Sequence, residues 1–141
     1  MKELNIFLDT YQQLDHNTLS LLTTIYEDEV TFVDPVHTVH GLGNLQKYFA
    51  GLYENVEDIS FVFGHKVVAE NHACVQWRMH FTHRKLASGR PVVVDGISVL
   101  KFSEHGKVDH HRDYFDVGNM VYEHIPVVGR IIRYLKEKIS A

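Results

Sequence analysis

Apolar residues recur at spacings of three and four at the start of this chain, and from residue 58 they switch to a spacing of two. Leu4, Phe7, Leu8, Tyr11 and Leu14 fall on one face of an amphipathic helix predicted over 3–14. Asp15 or Asn17 can cap a second helix, whose apolar side carries Leu19, Leu22 and Ile25. Residues 30–35, VTFVDP, read as a short strand that Pro35 must stop or place at an edge, because proline brings no N–H to a ladder. After a loop over 36–41, a third helix is predicted from Leu42, Leu45, Tyr48, Phe49 and Leu52.

The second half of the pattern is strand-like. Ile59, Phe61 and Phe63 alternate, Glu70 and Asn71 turn the chain, and the next run is the cleanest. There Ala73, Val75, Trp77, Met79 and Phe81 share one face while Cys74, Gln76, Arg78, His80 and Thr82 share the other. Ser88 and Gly89 turn into a strand over 92–102, and the turn over 104–107 leads into a strand over 108–116. Long sequential strands joined by tight turns predict an antiparallel meander. A closing helix over 128–139 should turn Ile131, Ile132, Leu135 and Ile139 inward and Arg130, Arg133, Lys136 and Lys138 outward. Such a basic amphipathic helix can lie on a membrane, but covering the domain's own core or a partner subunit is the commoner use. The fold class is therefore α+β, a single domain over 1–141 with a linker-like stretch over 117–126.

Composition narrows the function classes. A hydrophobic fraction of 45% in 141 residues fills one sizeable core, and a net charge of −4 offers no positive field to gather nucleic acid. Asp9 and the glutamines after it interrupt the N-terminal apolar run before signal-peptide length, and no run of about 18 apolar residues exists, so a cytoplasmic protein without a membrane span is expected. The one cysteine, Cys74, lies inside a strand pattern and reads as a plain half-buried thiol.

In order and spacing, residues 26–35 (YEDEVTFVDP), Gly41 at the start of the third helix and residues 106–116 (GKVDHHRDYFD) carry a likeness to one group. The chain resembles the nuclear transport factor 2-like superfamily, in the branch of ketosteroid isomerases and SnoaL-type polyketide cyclases. The resemblance covers residues 3–116 and leaves 117–141 as a helical extension. It implies a cone: a curved antiparallel sheet roofed by three N-terminal helices around an apolar pocket, with dimerisation through the outer sheet face that carries Gln76, Arg78 and His80. Members range from isomerases to domains without catalysis, so the fold alone does not decide activity.

The resemblance also points to residues. Asp34 matches the Asp-Pro position of the general base in ketosteroid isomerases, where apolar walls suit a carboxylate for taking a proton next to a ketone. The plain structural reading of Asp34 is a turn carboxylate accepting local N–H groups. Tyr11 resembles the oxyanion tyrosine, but Ser98 stands where an acidic second donor is expected, which argues against a true ketosteroid isomerase. Asp113 resembles the acid/base of SnoaL-type cyclases. Alternation puts it on one face with His111 and Phe115, opposite Arg112 and Tyr114, and two carboxylates in one apolar pocket can divide acid and base roles. Asp95 and Arg78 could extend this to the Asp-Arg-Asp set of the family's epoxide hydrolases, with a cross-strand ion pair as the default.

Trp77, Met79, Phe81, Phe115 and Ser98 are expected to line the pocket, with His37, His40 and His111 at its mouth. Eleven histidines are many for this length. None forms a helical i, i+4 pair or a cysteine-supported set, so no metal is expected. The expected function is a cofactor-free isomerase, cyclase or hydratase acting on an apolar or carbonyl-bearing small molecule through Asp34, Asp113 and Tyr11. The alternative is a non-catalytic ligand-binding or dimerisation module on the same fold.

Overall fold

A computed structural model describes residues 1–120 and 125–140. Its elements run α1 (Lys2–Tyr11), a 3-10 turn (Leu19–Leu21), α2 (Leu22–Ile25), β1 (Tyr26–Val33), β2 (Thr38–His40), α3 (Leu42–Tyr53), β3 (Val56–Ala69), β4 (His72–His83), a 3-10 turn (Ala87–Gly89), β5 (Val92–Phe102), β6 (Val108–Phe115), α4 (Val117–Met120) and α5 (Pro126–Ser140).

α1 buries Leu4, Phe7, Leu8 and Tyr11 as its periodicity requires, and it stops three residues earlier than predicted although Leu14 stays buried. The second helix is a single turn. Thr23 and Thr24 bond their hydroxyls back to the carbonyls of Ser20 and Leu21, β-branched Ile25 follows, and the chain leaves as a strand at Tyr26. β1 therefore begins four residues earlier than its sequence pattern suggests. A break in register between Tyr26 and Thr31 hides the alternation there.

The six strands order as β2-β1-β6-β5-β4-β3. The predicted meander is present as β3 to β6, each pair antiparallel. β1 joins the far edge of β6 in parallel, so the sheet is mixed. Pleat alternation sets one face of these strands inward. Val75, Trp77, Phe81, Val94, Leu100 and His111 are buried, while Gln76, Arg78 and His80 on the opposite face of β4 are exposed. α1 and α3 cover the inward face, closing Leu4, Phe7, Leu45 and Phe49 over Val75, Leu100 and Phe102. Burying each such side chain contributes roughly 1.5–3 kcal/mol.

α5 departs from expectation. Ile131, Leu135 and Ile139 are 53%, 46% and 85% exposed, and only Ile132 of the four residues expected inward is half-buried. Periodicity shows that a helix has an apolar face but not what covers it, and the sheet's inner face is already roofed by α1 and α3. α5 meets the body through Ile132, beside Gly118, and through Lys136, whose Nζ donates to Asp116 Oδ2 at 2.8 Å. That bond and the Asn119 N–H hold the Asp116 carboxyl below its usual range. A lowered folded-state value contributes stability above the ordinary aspartate range and loses it as pH falls through the lowered value. Acidification below the ordinary aspartate range is thus expected to lower the hydrogen-exchange protection of α5 amides, measured against the intrinsic rate at the same pH, before it lowers that of β4. Lys136→Ala should produce the same loosening at neutral pH. No helix among the described residues is long and apolar enough to cross a membrane.

Candidate functional site

A cavity of 370 Å³ opens between the inner sheet face and the helices. Aromatic rings dominate its wall, among them Phe7, Phe32, Phe49, Phe61, Trp77 and Phe115. Val36 and Leu52 line it yet remain 50% and 45% exposed, which marks an opening between the β1–β2 loop and the end of α3. Asp34, Tyr11, Trp77, Met79, Phe81, Phe115, His37, His111, Ser98 and Asp113 all line this one space.

Register assembles a polar seam across the greasy wall. Trp77 on β4 sits opposite Gly96 on β5, whose missing Cβ lets the indole lie against the sheet. Trp77 Nε1 can then reach two residues along β5 and donate to Ser98 Oγ at 2.9 Å. Ser98 pairs with Asp113 across β5 and β6, and its hydroxyl donates to Asp113 Oδ1 at 2.5 Å. His111, two residues before Asp113 and so on the same face, places Nε2 2.7 Å from that oxygen. Its Nδ1 lies 2.7 Å from the Tyr26 hydroxyl, which is 2.9 Å from the Tyr11 hydroxyl. His111 is 1% exposed and Tyr26 fully buried, so these bonds form without competing water.

Burial pushes the Tyr11 and Tyr26 hydroxyls well above the ordinary phenol value, and both keep their protons. With Asp113 as a carboxylate, proton accounting leaves two orientations. With His111 neutral and its proton on Nε2, Tyr11 donates to Tyr26 and Tyr26 donates to Nδ1. With both imidazole nitrogens protonated, the order reverses and the Tyr11 proton is free to turn to the cavity. In both, Asp113 Oδ1 accepts two bonds, from Ser98 and His111, while Oδ2 makes no hydrogen bond among the described residues.

Asp34 is held differently. Its Oδ1 accepts the Val36 and His37 N–H groups at 2.8 and 2.7 Å, and its Oδ2 accepts the Tyr48 hydroxyl. Burial, and then the bond to Asp34, raise the Tyr48 hydroxyl above its usual value. Burial also lifts Tyr53 on the same helix to about 12. Asp34 thus closes the turn over 34–37, as its plain structural reading expects, and its side chain also lines the cavity.

A model of the SnoaL-like domain matches residues 7–111. The chain belongs to the SnoaL-like family. Its fold is that of the nuclear transport factor 2-like superfamily. An NTF2-like protein of unknown function from Burkholderia pseudomallei K96243 superposes with a TM-score of 0.74 at 14% identity, over 85% of this chain and 95% of that one. TerC, co-crystallized with polyporic acid, gives 0.70 at 14% identity over 82% and 92%. A protein with a ketosteroid isomerase-like fold from Catenulispora acidiphila DSM 44928, in complex with trimethylamine, gives 0.67 at 16% identity over 75% and 80%. No curated protein matches the sequence. At these identities the likeness shows the SnoaL-like fold alone.

Some expected groups lie elsewhere in this SnoaL-like domain. His40 is exposed on β2, where Nδ1 lies 3.2 Å from Thr31 Oγ1, and it does not line the cavity. β2 pairs along the outer edge of β1, which carries His40 away from the mouth that His37 lines. Arg78 and Asp95 pair directly across β4 and β5 on the outer face, with Arg78 Nε 2.7 Å from Asp95 Oδ1 and both side chains more than half exposed. The Asp-Arg-Asp set is therefore not assembled in the cavity. Among the described residues, no three His, Cys, Asp or Glu side chains are grouped to hold a metal.

Sequence reasoning also passed over two functional-looking residues. Tyr26 lies within the motif that carries the family resemblance but in a stretch with no visible alternation. Tyr48 reads as one more residue of an apolar helix face. A tyrosine at a core position, whose hydroxyl must find a buried partner, is the signal both offered.

Proposed function

We propose that this SnoaL-like domain is a cofactor-free acid/base enzyme of the isomerase, cyclase or hydratase kind, acting on an apolar carbonyl-bearing small molecule with Asp113 as the proton-transferring group. One observation carries the reading: Asp113, which lines the aromatic cavity, is oriented through Oδ1 by two fixed partners, while Oδ2 makes no hydrogen bond among the described residues. Asp113 Oδ2 takes a proton from the carbon next to the carbonyl, and the electron pair of that C–H bond moves onto the carbonyl oxygen. Tyr11, with the relay turned outward, donates to that oxygen. Return of the proton to a different carbon isomerises the substrate. Attack of the enolate carbon on a second carbonyl closes a ring, and expulsion of a β-hydroxyl as water completes a dehydration.

Asp34 suits proton transfer less well, because both its oxygens already accept bonds. It serves in this reading as a fixed negative charge near the mouth. The ligands named for TerC and the Catenulispora protein support a small-molecule occupant. The outer sheet face, where Val93, Ile97 and Tyr114 are exposed, is the proposed dimer surface. The test is hydrogen–deuterium exchange at the α-carbon of a panel of cyclic and aryl ketones in D2O, followed by NMR. Catalysed exchange of at least one ketone above the buffer rate is expected. Binding, reported by Trp77 fluorescence, without any exchange would favour the non-catalytic module instead.

A further inference from the structure

Among the described residues, the cavity wall carries two carboxylates, Asp34 and Asp113, and neither lysine nor arginine. Of the three histidines among the described lining residues, His111 directs any positive charge it carries to Asp113, 2.7 Å away, which leaves Asp34 as the unanswered negative charge. His111 is engaged by Tyr26 and Asp113, His83 Nδ1 accepts the Lys85 N–H at 3.0 Å, and His37 packs its ring 5.2 Å from that of Tyr48. The remaining titratable groups on the wall, Tyr11, Tyr48 and Tyr53, all have raised hydroxyls and bring no negative charge of their own. A ligand with a carboxylate or phosphate would enter a water-poor space beside Asp34 with no lysine or arginine among the described lining residues to meet it.

The wall near the mouth has the opposite preference. Tyr48, whose hydroxyl bonds Asp34, packs with Phe32 and Phe49, the three rings standing at 49°, 67° and 59° to one another with centroids 5.6–6.2 Å apart, and Phe32 reaches on to the His111 ring at 4.7 Å. Ring faces attract cations through their quadrupole, and the attraction grows where water is excluded. Three of the roughly four acceptor sites of Asp34 are taken by Val36, His37 and Tyr48, so its charge is fixed in place beside the Tyr48 ring, where it acts on a nearby cation. The Asp113 end is the reactive one in the reading above. Hence the two carboxylates divide into one that transfers a proton and one that attracts charge.

We propose that the ligand of this cavity is a small apolar molecule bearing a protonated tertiary or quaternary amine, held with its cation at the Asp34 end against Phe32, Tyr48 and Phe49. This deepens the proposed function and rests on its assignment of the cavity as the substrate site.

Trp77 lines the cavity and is the chain's one tryptophan, so its fluorescence reports occupancy directly. Three probes of matched shape separate the charge classes: benzyltrimethylammonium, its neutral carbon counterpart neopentylbenzene, and phenylacetate. The cation is expected to bind roughly tenfold or more tightly than the neutral probe, and phenylacetate should bind most weakly. Asp34→Asn should remove the preference for the cation while leaving neopentylbenzene affinity within a factor of about two to three. Equal affinity for cation and neutral probe, tighter binding of phenylacetate, a cation preference that survives Asp34→Asn, or no response to any probe would each overturn the proposal. A cation preference without exchange on any ketone would instead sink the enzymatic reading and leave this one standing. Exchange on ketones without a cation preference would do the reverse.

Discussion

Asp113→Asn is expected to cut catalysed α-proton exchange by roughly 10²–10⁴-fold, the usual worth of a positioned general base. The substitution is nearly isosteric. The asparagine carbonyl can still accept from Ser98 Oγ and His111 Nε2, so the seam from Trp77 to Tyr11 keeps its geometry. Only the second oxygen, Oδ2, changes, from an atom that can take a proton to an amide nitrogen that cannot. Ligand affinity by Trp77 fluorescence should therefore stay close to wild type while the NMR exchange rate collapses, a loss confined to the chemical step. An Asp113→Asn protein that exchanges within about threefold of wild type would remove the proton-transferring role from this residue.

The second large effect is structural and comes from the smallest residue in the site. Gly96→Ala should lower Tm by roughly 5–10 °C, from an overpacking cost of a few kcal/mol in a chain of this size. A Cβ at Gly96 would lie 2.3 Å from Trp77 Cζ2 and 2.4 Å from Cη2, far inside contact distance. Neither side yields easily. Gly96 is in the middle of β5 with β4 and β6 bonded on either side, and the indole is rigid and tied to Ser98. If the indole does swing away, Ser98 loses its donor, and the emission of Trp77 should shift to the red as the ring meets water. Gly43→Ala is the matched control, because nothing lies within 4 Å of its added methyl inside α3. Replacing a helical glycine there should raise stability by about 0.5–1 kcal/mol. Thermal melts of the two variants should thus move in opposite directions.

Much of the architecture was legible because it is written in period. The apolar stripe of α1 and the clean alternation of β4 each determine which side chains turn inward, whatever packs against them. The same rule put His111, Asp113 and Phe115 on one face of β6 and Arg112 and Tyr114 on the other. The Arg112 guanidinium indeed lies 4.8 Å from the Tyr114 ring, away from the cavity. Where the pattern was weak, the reading slipped. The bulge in β1 concealed Tyr26, and two threonines shortened the second helix. The apolar face of α5 was assigned a cover that the sheet does not provide.

By itself, the order of residues determined the α+β class, the inward face of each long strand and the candidate carboxylates, since these depend only on local periodicity and on a motif shared with a family. The tertiary structure alone decided which groups touch. Trp77, Ser98, Asp113, His111, Tyr26 and Tyr11 come from α1 and four different strands, and they meet through strand register and a parallel β1–β6 contact that no local pattern encodes. It likewise separated two aspartates that look alike in sequence: among the described residues, Asp113 keeps one oxygen without a hydrogen bond and Asp34 keeps none. A hydrogen bond depends on distance and direction between atoms far apart along the chain, and those quantities exist only once the sheet has closed.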